Sequence, residues 1–184
     1  LRSVFNQVRN MRQLKIYLAG FFFMTMGLLT VMFMAATYGT KELGLNDNVL
    51  IPTILLIQLI GMFGAWLFAR ISGRIGNIKA LILSIVIWIL VIVAVYFIQT
   101  PAEFIIIACF VGVVMGGTQA LARSTYSKML PETRDHTSFF SFYDVMEKIA
   151  TVGGTFSFGI IEALTGSMRF SVLAITAFFI IGLA

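Results

Sequence analysis

Six long apolar runs, separated by short polar connections, constrain this chain more than any other feature. They fall at about 14–39, 49–70, 79–98, 103–123, 138–164 and 168–184. Each approaches the ~20 residues that an α-helix needs to cross ~30 Å of hydrocarbon. Helices are the expected element, because within lipid a helix satisfies its backbone hydrogen bonds inside one segment. The connections carry the breakers such a reading requires: Asn46-Asp47-Asn48, Gly73 to Asn77, Thr100-Pro101, Pro131 and Thr165-Gly166-Ser167.

Composition excludes a soluble alternative. The chain is 59% hydrophobic and 11% charged, with a mean hydropathy of +0.98, whereas soluble domains are about a quarter charged. A chain of 184 residues cannot hide that many large apolar side chains in a core of its own. The expected fold is therefore all-α: a six-transmembrane-helix bundle whose solvent is lipid.

The net charge of +5 does not point to nucleic acid, because the cations sit in short loops between apolar runs. Arg2, Arg9, Arg12, Lys15, Arg70, Arg74, Lys79, Arg123, Lys128 and Arg134 fall on one side of the alternating spans. Lys41 and Arg169 fall on the other, and Lys148 lies within a span. Ten of the 13 cations on one side mark that side as cytoplasmic. Both termini are then cytoplasmic, in a multi-pass protein expected in a bacterial inner membrane. Residues 1–13 space Leu1, Val4, Phe5, Val8 and Met11 helically among Arg2, Arg9 and Arg12, which predicts a surface amphipathic or linker segment. The chain opens on Leu1 and stops at Ala184 inside an apolar run, so it is expected to be a piece of a longer polypeptide.

Function must be sought among polar groups inside the spans, since charges in hydrocarbon are costly and tend to be functional. The third and sixth spans are almost wholly apolar and are expected outermost. In the fifth span, Ser141, Asp144, Lys148, Thr151, Thr155 and Glu162 share a narrow stripe at 100° per residue, bordered by Glu147. Asp144 and Lys148 stand i,i+4 in the favourable order, so they suit either a self-neutralising structural pair or a site for substrate or coupling ion. In the fourth span Gly112, Gly116, Gln119 and Arg123 share a face whose glycines permit close helix approach, and Arg123 also suits a topology anchor. Gln58, Gly61 and Gly64 mark a similar face on the second span. The candidate cavity residues are thus Gln58, Gln119, Arg123, Asp144, Glu147, Lys148 and Thr151.

No enzyme site is visible. His136 stands alone in a loop with no second ligand, so neither metal nor cofactor is expected, and no Ser or Cys faces a base. The single cysteine, Cys109, lies in an apolar run and reads as a packing residue.

The stretch Arg70-Ile71-Ser72-Gly73-Arg74-Ile75-Gly76-Asn77-Ile78-Lys79 resembles the short loop signature of the major facilitator superfamily, with Gly73, Arg74 and Gly76 as its elements. Gly73 stands where that signature usually has an acid. Gly116-Gly117-Thr118-Gln119-Ala120-Leu121-Ala122-Arg123-Ser124, Met129-Leu130-Pro131, and Phe139-Phe140-Ser141-Phe142-Tyr143-Asp144 through Lys148, Gly153-Gly154 and Arg169 resemble the C-terminal half of the vacuole-effluxer-like family within it. This chain has Met26-Gly27 where the family often has Asp before Gly, and Gly154 where it tends to have Pro.

The resemblance covers essentially the whole chain and implies one half of a two-bundle carrier with nested inverted repeats and a central cavity lined by the first and fourth spans. It implies secondary active transport of a small solute, with amino acids the candidate class. The implied partners are a second, N-terminal six-helix half of the same polypeptide and a coupling proton or cation. The alternative reading is a small six-helix scaffold or complex subunit without transport activity.

Overall fold

A computed structural model of the protein describes residues 8, 10–131 and 136–183. The segment expected over 1–13 lies largely outside the described residues, as do Arg134 and Ala184. Among the described residues six helices are bounded: α1 Arg12–Leu43, α2 Asp47–Ile75, α3 Asn77–Tyr96, α4 Pro101–Met129, α5 His136–Thr165 and α6 Met168–Leu183.

Local chemistry sets the helix ends. Gly44 closes α1 in the left-handed region at φ 61°, which glycine enters without steric cost. A single residue, Gly76 at φ 89°, separates α2 from α3. The α4 start is a capping box. Thr100 Oγ1 accepts the Glu103 amide at 3.3 Å, Glu103 Oε2 accepts the Thr100 amide at 3.1 Å, and Pro101 begins the helix. At its other end Leu130 adopts an extended conformation (ψ 144°) before Pro131, the backbone that a following proline ring favours.

Several helices outrun the apolar segments that seed them. α4 continues past Arg123 because Thr125 and Tyr126 are buried against neighbouring helices, so protein contact carries the helix on where lipid contact stops. α1 through α4 are each long and apolar enough to cross a membrane. α5 falls short by composition, since Asp144, Glu147, Lys148, Glu162 and several hydroxyl side chains dilute it, and α6 has 16 described residues.

Side-chain ties fix alternating helix directions. At one end, which we call the basic end, the Asn77 amide of α3 donates to Ser124 Oγ of α4 at 3.0 Å and accepts from Lys128 Nζ at 3.0 Å. The Tyr126 hydroxyl of α4 donates to the Phe139 carbonyl of α5 at 2.8 Å. At the opposite end the Arg169 guanidinium of α6 bonds Glu42 of α1 at 3.2 Å, and the Tyr96 and Ile98 carbonyls at 3.2 and 3.0 Å. Lys41 of α1 pairs there with Glu162 of α5 at 2.9 Å.

The packing pattern contains a hidden symmetry. The principal pairs are α2–α4, α1–α6, α1–α5, α3–α4, α3–α6 and α5–α6, with lesser α2–α3 and α1–α4 contacts. Exchanging α1 with α4, α2 with α5 and α3 with α6 maps each of these pairs onto another of them or, for α3–α6 and α1–α4, onto itself; only the slight α1–α2 contact lacks a counterpart of similar extent. Exchanged helices run in opposite directions, so the bundle is an inverted three-helix repeat, an arrangement common in secondary transporters. The two repeats differ in tightness. α2 and α4 touch most extensively, because a Cβ on Gly64 would overlap the Val113 carbonyl and one on Gly116 the Gly61 carbonyl. In the corresponding α1–α5 contact, Gly154 seats against the Met26 carbonyl and the Thr30 hydroxyl. Bare backbone is required at this position, where the family resemblance leads one to expect proline.

α3 is not the most exposed of the long spans. Of the central apolar window, 33% is buried in α3 against 28% in α2. Trp88 explains this: it is fully buried, stacks on Phe179 at 5.6 Å and donates to Thr118 Oγ1 at 3.1 Å. α2 instead leaves Leu55, Leu59, Met62, Phe63 and Trp66 exposed along one side, and α5 leaves Val145, Ile149, Val152 and Phe156.

Candidate functional site

An open cleft of about 430 Å³ lies between α1, α2, α4 and α5. Its position follows from the glycine seam. Gly61 and Gly116 bring α2 and α4 together at its floor, and the side chains just off that seam, Gln58 and Gln119, splay into it. Arg123 stands one helical turn above Gln119, and Glu147 enters from α5. α1 contributes Thr25 and the apolar Met24 and Leu28.

The cleft brings together Gln58, Gln119, Arg123 and Glu147, and Asp144 joins them through Arg123. Arg123 Nη2 lies 3.1 Å from Asp144 Oδ1 and 3.9 Å from Glu147 Oε2. One guanidinium thus serves two carboxylates, and the local charge is negative by one unit. The Gln58 and Gln119 amides have no hydrogen-bond partner among the described residues, which leaves donors and acceptors facing the cleft. Asp144 does not pair with Lys148. Lys148 is exposed, lies off the cleft wall, and has no carboxylate within 4.0 Å among the described residues. Thr151 is also off the wall, and its hydroxyl donates to the Glu147 carbonyl at 2.7 Å.

Beneath Arg123 lies a support that sequence reasoning missed. The Tyr143 ring stacks on Phe21 at 4.2 Å and meets Tyr126 at a tilt at 4.9 Å, and the Arg123 guanidinium sits 5.7 Å from its centroid, within cation–π range. The Tyr17 hydroxyl ties α1 to the Ala122 carbonyl at 2.7 Å. Aromatic residues at helical spacing on α1 (Tyr17, Phe21) and α5 (Phe139, Tyr143) were the available signal. In a chain with 18 phenylalanines that signal does not stand out.

The loop-signature residues lie elsewhere, at the basic end. Gly73 and Arg74 occupy the last turn of α2 and are exposed, and a Cβ on Gly73 would meet nothing within 4 Å. No steric demand holds glycine there. Gly76 is different, because its φ of 89° makes the one-residue turn possible. Asn77 beside it carries the bonds to α4 described above.

An inverted three-helix repeat, a polar cleft walled by four of six helices and a charged cluster on two of them define a class: one six-helix half of a major facilitator type of membrane protein. The family comparison agrees. The model described as "Vacuole effluxer Atg22 like" matches residues 1–184, and the chain belongs to this family, which is one of transporters rather than enzymes. An uncharacterized MFS-type transporter of Bacillus subtilis, YxiO, is 30% identical over 183 residues, covering 100% of this chain and 42% of that protein. Autophagy-related protein 22 of Yarrowia lipolytica is 27% identical, covering 92% of this chain and 30% of that protein. The Candida glabrata protein of the same name is 25% identical, covering 88% and 32%. The chain therefore spans well under half the length of these relatives. Family membership and the apolar helices together make it part of an integral, multi-pass membrane protein.

Proposed function

We propose that these six helices form one half of a secondary active carrier that moves a small solute by alternating access. The observation that carries this reading is the cleft, where unpaired amides and an under-neutralised carboxylate cluster face a space large enough for a small molecule. The exposed apolar sides of α2 and α5 support a second six-helix bundle as the partner, supplied by the same polypeptide. Two bundles rocking about the cleft would expose it to each side in turn. The basic end is the cytoplasmic one in this reading, from the distribution of lysine and arginine.

Amino acids are the substrate class the charges favour. The excess negative charge at Glu147 suits an ammonium group or a coupling proton or cation. Lys148, exposed on the same helix but off the wall of this cleft, would meet a substrate carboxylate where the second bundle closes over α5.

The test is reconstitution of the full-length protein in proteoliposomes loaded with a panel of labelled amino acids, with release followed under imposed proton and sodium gradients. Gradient-dependent release that falls at least tenfold in Lys148→Met, with folding intact, supports the reading. Folded Lys148→Met protein that transports like the native one removes Lys148 from the mechanism, and no release of any member of the panel removes the amino-acid assignment.

A further inference from the structure

On the other side of α1 from the cleft lies a second depression that the transport reading does not use. α1, α3 and α6 wall an apolar groove of about 580 Å³, with Ile16, Phe23, Ile82 and Ile181 among its lining. Its floor is made by two glycines. A Cβ on Gly20 would stand 2.9 Å from the Gly182 carbonyl oxygen, and one on Gly182 3.1 Å from that of Gly20. The two backbones touch there, and the absence of side chains leaves a trough. Along α1 the lining runs from Gln13 to Met24, about 16 Å at 1.5 Å per residue. This is close to the ~15 Å depth of a single leaflet.

Four cations stand next in sequence to lining residues at the basic end of the groove, though none is itself part of its wall. Gln13 on its rim lies between Arg12 and Lys15, Ile78 precedes Lys79, and Met129 follows Lys128. All four cations are exposed, and none is paired with a carboxylate among the described residues. The described carboxylates are engaged or remote. Asp144 and Glu147 face Arg123, Glu162 holds Lys41, Glu42 holds Arg169, Glu103 caps α4, and Asp47 opens α2 at the far end. Lys128 is held in place by the Asn77 side-chain carbonyl at 3.0 Å.

We propose that this groove binds an anionic glycerophospholipid. Its phosphate is held by Lys79 and Lys128, and one acyl chain lies over the Gly20–Gly182 contact between Ile16, Ile82 and Ile181. Topology alone accounts for cations at this end of the bundle. It does not account for an apolar trough about one leaflet deep that reaches the same end of the bundle, and this pairing of features fits a lipid with a charged headgroup.

The experiment uses the full-length protein, delipidated in a neutral detergent. Thermal unfolding is followed as phosphatidylglycerol or phosphatidylcholine with identical acyl chains is added, and retained lipid is identified by mass spectrometry. The expected result is a midpoint that rises by several degrees more with phosphatidylglycerol, since a ligand bound only by the native state stabilises it. Lys79→Gln/Lys128→Gln should lose that selective rise, and so should Ile82→Trp, which fills the trough. Arg70→Gln/Arg74→Gln, two cations at the same end but off the groove, should keep it. Equal shifts from the two lipids overturn the proposal. So does a selective shift that survives in the Lys79/Lys128 variant. If Ile82→Trp fails to fold, the charge variants decide alone.

Discussion

Arg123 and Asp144, on different helices, meet at 3.1 Å across the α4–α5 boundary, while Lys148, one turn along α5 from Asp144, is left without that partner. A lysine and an aspartate at i,i+4 gain a few tenths of a kcal/mol on an open helix surface. The forked, planar guanidinium instead reaches Asp144 and Glu147 together and rests against the Tyr143 ring, contacts that a flexible lysine does not combine. One consequence is that a positive charge inside a span remains available to something outside the described residues.

A double-mutant cycle between Arg123→Gln and Asp144→Asn should therefore show coupling, whereas one between Asp144→Asn and Lys148→Met should show none. Both members of the Arg123–Asp144 pair are more than half exposed, so the stability coupling is expected below about 1 kcal/mol. Unfolding of the purified full-length protein measures it. Coupling between Asp144 and Lys148 equal to that between Arg123 and Asp144 would contradict the pairing.

The glycines should separate into two groups. Gly116→Ala and Gly64→Ala force a methyl into the facing backbone and are expected to cost about 1–3 kcal/mol, or to abolish folding. Gly73→Ala meets open space in the last turn of α2. It should be neutral or stabilise by up to about 1 kcal/mol, since alanine is the better helix former. Midpoints of denaturation in detergent, compared side by side, decide this.

Arg169 should tolerate no substitute. Its guanidinium joins α6 to Glu42 of α1 and to two carbonyls at the end of α3, and it is largely buried. Arg169→Gln is expected to destabilise by about 1.5–3 kcal/mol. Arg169→Lys should recover only part of this, because an ammonium cannot span the same three acceptors. Full recovery by lysine would show that charge alone matters there.

If a second bundle covers the exposed sides of α2 and α5, the native polypeptide should be about twice the 20.4 kDa of this chain. An immunoblot against the loop around Pro131 measures this directly. A band near 20.4 kDa would leave a homodimeric carrier or a membrane subunit without transport activity.

Much of the architecture was evident in the residue order. Hydropathy and the 3.6-residue period are local properties, so the all-helical membrane fold, the separate glycine faces of α2 and α4 and the polar side of α5 could all be read along the chain. Gln58, Gln119, Arg123 and Glu147 could be nominated for the same reason. Which of them meet could not. Ion pairing depends on the rotation and axial register of helices that are far apart in sequence, and a turn of a few tens of degrees decides whether Asp144 faces Lys148 or Arg123. The burial of α3 around Trp88, the bare-backbone contact at Gly154 and the three bonds of Arg169 are also long-range facts. They exist only once the helices have packed, because packing selects partners by shape and reach across the bundle, and neither is written in any single segment.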